Sequence, residues 1–325
     1  VRELGKFVVG VDLGGTKIYT ALADESGRLL AETRVATGAG DGQEAVFRRI
    51  ACTVAEVCAS GGSGVNLCAL GIGVPGLMDP ATGIVDYAPN LRWRNVPVRE
   101  ILQENMKMPV LVDNDANLAA LGEHKFGAGA GVQNMVYVTV STGIGGGLIQ
   151  NGEVYHGVSG TAGELGHMVI DPAGPLCGCG RRGCLEALAS GTAMAVRARE
   201  LVAAGSGKAI LREAGGRAGD IDARSVAAAA AGGDGEAGEI LREAGRALGM
   251  GLANVVNLIN PAMVVLGGGA MNVGPLLWDA MLQELKVRAM AGALVNLRVV
   301  PASLGQRSGL MGAVALALEK CEVRG

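Results

Sequence analysis

The chain has 325 residues, of which 49% are hydrophobic, 3% aromatic and 54 glycine, with a formal net charge of −3. That length allows two domains with substantial cores, and the absence of a Lys/Arg-rich block argues against nucleic acid or an anionic membrane surface as a partner. The longest apolar stretch, Val255 to Met271, is broken by Asn257, Asn260, Pro261 and three glycines and cannot span a bilayer; no segment at the start reads as a secretion signal, and seven cysteines fit a reducing cytoplasm better than a disulfide framework.

In chain order, Phe7 to Ala23 (FVVGVDLGGTKIYTALA) reads as a β-branched strand, a Gly-Gly turn and a second strand. Its turn holds Gly14 and Gly15, flanked by Asp12, Thr16 and Lys17. Exposed N–H groups and a neighbouring hydroxyl suit phosphate oxygens, because backbone donors converge on the anion with no side chain between. Most such hairpins are simply tight turns. Asp12, at the strand end, is the natural carboxylate for Mg²⁺ near phosphates, or else caps the hairpin.

Met108 to Asn117 (MPVLVDNDAN) is an apolar strand ending in polar groups, where open α/β sheets place ligands. Phosphoryl transfer to an alcohol needs a carboxylate to accept the hydroxyl proton. Asp115 is the expected base and Asp113 the competing choice. N-capping of the following helix by Asp115 or Asn114 is the structural alternative.

Val136 to Gly152 (VYVTVSTGIGGGLIQNG) repeats the strand–glycine turn–strand layout, and Ser141 and Thr142 add donors. Two copies strengthen the phosphate reading and suggest two related α/β domains. Neither matches a Walker P-loop or a Rossmann fingerprint.

Glu164 to Glu186 (ELGHMVIDPAGPLCGCGRRGCLE) carries His167, one of three histidines in the chain, ahead of Cys177, Cys179 and Cys184. Three thiolates and an imidazole suit four-coordinate structural Zn²⁺; a disulfide or free thiols are the alternatives. Glu164 and Glu186 offer acceptors for sugar hydroxyls, and His167 can place one ring nitrogen on zinc and the other on a hydroxyl or a supporting group. Cys52, Cys58, Cys68 and Cys321 sit in apolar contexts that read as packing.

The Ala/Gly-rich stretch Ala203 to Gly238 reads as a helical region with a flexible centre. Val264 to Met271 (VVLGGGAM) closes a strand on Gly267, Gly268 and Gly269, bare backbone on which a nucleobase or ribose could lie; an ordinary βα turn is the alternative. A final helix is expected over Ser308 to Lys320.

Taken together, DLGGTK (12–17), GVPGLMD (73–79), DNDAN (113–117), STGIGGG (141–147), GELGH (163–167) and CGCGRRGCLE (177–186) resemble the ROK family of bacterial sugar kinases and repressors, and within it the ATP-dependent glucokinases. The resemblance covers nearly the whole chain. It implies an α/β, two-domain, actin-like (hexokinase/RNase H-like) ATPase fold with an interdomain cleft, whose closure excludes water. Residues 1–118 with 308–325 are expected to form a small domain, and 119–307 a large one carrying the zinc loop.

The implied reaction is ATP-dependent phosphorylation of glucose at the 6-hydroxyl. Asp115 matches the base; Gly76, Asn90, Asn114, Glu164, His167 and Glu186 match sugar-side positions. Asp12, Gly14, Gly15, Thr16, Lys17, Thr142 and Gly143 match the phosphate side, and Gly267, Gly268 and Gly269 the adenosine side. His167, Cys177, Cys179 and Cys184 match the zinc site; ATP, Mg²⁺ and structural Zn²⁺ are the implied cofactors. A cytoplasmic homodimer or homotetramer is implied, with no nucleic-acid or membrane partner. The rivals are an N-acetylmannosamine or N-acetylglucosamine kinase sharing every motif, and a non-catalytic sugar-sensing regulator. Repressors of the family carry an N-terminal helix-turn-helix module, for which a hairpin beginning at Phe7 is expected to leave no room.

Overall fold

The structure is a computed structural model that describes residues 6–61 and 66–322; the outermost residues of the expected domains, 1–5 and 323–325, lie outside it. β1 (Lys6–Leu13), β2 (Lys17–Asp24) and β3 (Leu29–Ala36) are followed by α1 (Gln43–Ser60), β4 (Asn66–Val74), and the short strands β5 (Leu77–Asp79), β6 (Ile84–Ala88) and β7 (Trp93–Pro97). Next come α2 (Val98–Met106), β8 (Val110–Asn114), α3 (Asp115–Phe126), β9 (Met135–Val140), β10 (Ile144–Gln150) and β11 (Glu153–Val154). The chain continues through α4 (Leu185–Ala189), α5 (Gly191–Ala203), α6 (Lys208–Glu213), α7 (Ala223–Ala231) and α8 (Gly235–Ile259). It ends with β12 (Met263–Gly267), α9 (Pro275–Arg288), α10 (Ala291–Leu294), β13 (Arg298–Pro301) and α11 (Ser308–Glu322).

The chain packs as two units, Val1–Tyr137 with Gly147–Gly163 and Ala302–Gly325, and Val138–Gly146 with Glu164–Pro301. These bounds differ from the division expected at residue 118, because α3 lies along α11 and stays with the first unit. The first unit is built on the sheet β3-β2-β1-β4-β8, antiparallel through β1, β2 and β3 and parallel through β1, β4 and β8. The inner strands are nearly continuous apolar runs because both faces are covered, whereas β3 alternates half-buried and exposed residues as an edge strand does. On one face the core gathers Val9, Val11, Ile50, Leu70 and Ile72, with Phe47 stacked on Trp93 at 5.2 Å between ring centroids.

α11 crosses α3 at glycine. A Cβ on Gly312 would stand 1.7 Å from the Leu118 carbonyl oxygen, so backbone meets backbone with no side chain between them. This contact holds the start of α3, and with it the end of β8, against the rest of the sheet.

A second sheet has the order β11-β10-β9-β12-β13, and the boundary between the units runs through β9 and β10. In the second unit α8 packs along α9. The Ala/Gly-rich stretch, expected as a helical region, folds as α6 and α7 with a short 3₁₀ turn between them. Asp222 and Ser225 form a reciprocal capping box that starts α7.

A second correction concerns the cysteines. Cys68 on β4 and Cys321 on α11, expected as separate packing residues, are joined by a disulfide with their Cα atoms 5.9 Å apart. Cys52, Cys58, Cys177, Cys179 and Cys184 are free. No described helix is long and apolar enough to cross a membrane.

Candidate active site

The first unit carries one glycine turn and the strand end with the expected base. β1 and β2 pair out to Leu13 and Ile18, which leaves the Gly14–Lys17 segment to turn. The Gly14 N–H donates to the Lys17 carbonyl at 2.9 Å. Behind the turn, fully buried Thr37 donates its hydroxyl to the Gly14 carbonyl at 2.6 Å and its N–H to the Thr16 carbonyl at 3.0 Å. Arg49 in turn donates to the Thr37 carbonyl at 2.9 Å and pairs with Asp41. The turn is therefore braced from behind while Thr16 stays exposed. Gly15 lies directly against Asn90, so the structure brings together two expected site residues 75 positions apart.

Asp12, the last residue but one of β1, has its carboxylate against Gly309 in the first turn of α11. Burial pushes its pKa above the ordinary carboxylate value, against the opposing pull of Lys17 and Arg34. A buried carboxylate held in this way fits a hard divalent cation, which would relieve the cost of its charge.

At the β8–α3 junction, Asn114 is the N-cap: its Oδ1 accepts from the N–H groups of Ala116 at 2.8 Å and Asn117 at 3.3 Å. Its Nδ2 donates to the Gly76 carbonyl at 3.1 Å, bringing Gly76 to the same corner. Asp115 is thus the first residue of α3 and not its cap. Asp113 is buried; its Oδ1 accepts from the Asn114 N–H at 2.7 Å and from Asn117 Nδ2 at 3.0 Å. Its Oδ2 meets His156 Nε2 at 2.7 Å. The competing base is therefore tied into the scaffold.

The second unit carries the other glycine turn, the thiolate loop and the third glycine cluster. Ser141 and Thr142 are exposed at the β9–β10 turn, closed by the Ser141 N–H donating to the Gly143 carbonyl at 2.8 Å. Glu186 sits on this turn: its Oε2 accepts from the Ile144 N–H at 2.9 Å, and a Cβ on Gly143 would stand 2.3 Å from that oxygen. Only glycine admits the carboxylate there. The other oxygen, Oε1, lies 3.9 Å from Cys177 Sγ, so Glu186 links the turn to the thiolate loop. Gly268 packs on the Val140 backbone, which brings the 267–269 turn beside the end of β9.

The ligand atoms of His167, Cys177, Cys179 and Cys184 all lie within 4.8 Å of one another. His167 directs Nδ1 to Cys177 Sγ at 3.7 Å and Nε2 to Glu164 Oε2 at 3.9 Å. Burial raises the Cys177 pKa, and burial with the neighbouring thiols pushes Cys184 up to about 12, while the Arg181 N–H lowers Cys179. These soft donors fit a Zn²⁺ ion that would hold them as thiolates, with all four positions filled by protein. Asp115 belongs to the first unit, and Glu164, His167 and Glu186 to the second.

Sequence reasoning missed Thr37 and His156. Thr37 braces its turn from a separate strand end and leaves no local signal. For His156 the scarcity of histidine was the one available clue, since its partner Asp113 lies 43 positions away.

The family model described as "ROK family" matches residues 8–320. A glucokinase of Halalkalibacterium halodurans is 36% identical over 309 residues, covering 94% of this chain and 93% of that protein. A xylose repressor of Caldicellulosiruptor bescii is 31% identical over 98% of this chain and 79% of its own length. Among solved structures, a ROK family glucokinase from Streptomyces griseus in complex with glucose and AMPPNP is 35% identical, covers 96% of this chain and 99% of its own, and superposes with a TM-score of 0.82.

Proposed function

The chain belongs to the ROK family, and on that premise we propose that it is an ATP-dependent glucokinase, transferring the γ-phosphoryl group of ATP to the 6-hydroxyl of glucose. Its fold is the actin-like ATPase fold of the family's sugar kinases. One observation supports the reading: Asp115 is the first residue of α3, in the position matching the family's base, with its Oδ1 accepting from the Ala116 N–H at 2.9 Å, while Asn114 is the N-cap and Asp113 is bonded to Asn114 and Asn117.

In this reading Asp115 accepts the 6-hydroxyl proton as that oxygen attacks the γ-phosphorus, and ADP leaves with the electron pair of the broken P–O bond. Backbone N–H groups of the Gly14–Lys17 and Thr142–Gly143 turns, with Thr16, Lys17 and Thr142, hold the phosphate oxygens. Gly267, Gly268 and Gly269 leave bare backbone for the adenosine. Glu164, His167 and Glu186 accept from sugar hydroxyls, and Gly76, Asn90 and the remaining N–H of the Asn114 amide line the sugar's other edge. Asp12 would hold Mg²⁺, whose charge when bound offsets that of the phosphates. His167, Cys177, Cys179 and Cys184 would hold Zn²⁺, which when bound fixes the loop between Glu164 and Glu186. The resemblance supports a homodimer or homotetramer working in the cytoplasm, where ATP and free sugar meet.

The test is initial-rate phosphorylation of glucose, mannose, fructose, N-acetylmannosamine and N-acetylglucosamine with ATP, with the product identified by NMR. Glucose 6-phosphate and the highest kcat/KM for glucose are expected. A higher kcat/KM for an N-acetylhexosamine would replace glucose as substrate, and absence of turnover on every sugar would refute the kinase.

A further inference from the structure

His156 follows β11 on a loop that doubles back: its carbonyl accepts from the Ala162 N–H at 3.0 Å, and Gly160 packs on Met78 and Pro80. The side chain is one-third exposed, at 33%, so it exchanges protons with solvent, whereas the Asp113 carboxylate it meets at 2.7 Å is 4% exposed. Every other bond to that carboxylate comes from the β8–α3 corner, from the Asn114 N–H and Asn117 Nδ2. Asn117 is itself buried with its Oδ1 unpartnered, so the corner has no second anchor on that side chain. One residue, Asn114, separates Asp113 from Asp115, a Cα distance of at most about 7 Å. That is inside the screening length of physiological salt, about 8 Å.

We propose that His156 is a positioning residue for phosphoryl transfer: through Asp113 it fixes the corner that presents Asp115, and as an imidazolium it offsets the Asp113 charge and so keeps Asp115 ionised. This rests on the reading of Asp115 as the base. An unpaired Asp113 carboxylate would oppose a second negative charge two residues on, and Asp115 would gain its proton at higher pH. The hydrogen bond that the His156 imidazolium donates to Asp113 raises the His156 pKa, outweighing burial, which lowers it. The groups around this loop are Asp113 on β8, Asp79 on β5 (its carboxylate occupied by Ala81 and Thr82), Glu153 on β11, and Asp115, Glu123, His124 and Lys125 on α3. Asp113 is the one in hydrogen-bond contact with the imidazole.

The experiment is kcat/KM for glucose from pH 5 to 9 for wild type, His156→Gln, His156→Ala and Asp113→Asn, with Asp115→Asn alongside. His156→Gln keeps a donor but loses the charge. Both His156 variants are expected to move the acid limb up by about one pH unit, a loss of about tenfold on the acid limb itself that recovers at the alkaline plateau for His156→Gln. An acid limb that stays in place in both variants would overturn the proposal. NMR titration of wild type gives a reading that needs no variant at 156: His156 is expected to titrate above the ordinary 6.5 and to fall in Asp113→Asn. A His156 that titrates at or below 6.5 in wild type would also overturn it. If instead Asp115→Asn keeps full turnover, the fault lies in the assignment of the base, not in His156.

Discussion

Glu123 on α3 is fully buried, and its carboxylate accepts from the Ala128, Ser303 and Leu304 N–H groups and the Ser303 and Ser308 hydroxyls. These donors lie on the segments that leave α3 and enter α11, so one side chain ties the exit of α3 to the entry of α11. Glu123→Ala would leave several buried donors unpaired; a loss of more than about 3 kcal/mol in urea unfolding is expected. A change below about 1 kcal/mol would mean that water replaces the carboxylate there. Nothing in the sequence marks Glu123, since all its partners but Ala128 lie 180 or more residues away. The corner at Asn114 and Asp115 is different: DNDAN announced a polar strand end, but Asn and Asp are equally good caps. Side-chain direction alone divides capping from chemistry, and that is a property of the fold.

At the scale of the element, the thiolate loop was legible because its four ligands lie within eighteen positions of sequence and need no distant partner. What the sequence did not show is its tie to the β9–β10 turn, through Glu186 on the Ile144 N–H. The thiolate loop and the β9–β10 turn are therefore coupled by one carboxylate. Purified protein is expected to carry one zinc per chain by elemental analysis. Cys179→Ser is expected to release it and to raise the KM for sugar at least about tenfold, since loss of one ligand undoes the geometry of the set. Zinc-free protein with an unchanged KM would remove the metal from the account. The two glycine hairpins were equally legible, because strand, turn and returning strand are contiguous. Their supports, Thr37 and Gly268, come from elsewhere in the chain.

For the molecule as a whole, the α/β class and the duplicated hairpins could be read from hydrophobic patterning, whereas the packing units could not. α3 follows the β8 strand end directly, yet it remains with the first unit because α11 returns 190 residues later to pack on it through Gly312. The Cys68–Cys321 disulfide spans 253 positions and was invisible for the same reason. Long-range closure also sets the partners of the carboxylates at the end of β8, with Asp113 held by His156, and the proposal to be tested is that Asp115 is the base. The direct measurement is coupled-assay turnover of glucose and ATP by wild type and Asp115→Asn at pH 8, with circular dichroism and sugar binding as controls for folding. Intact glucose binding is expected in the variant, with kcat lower by at least about 10²-fold, the range of a lost general base. Wild-type kcat in the Asp115→Asn protein would contradict it.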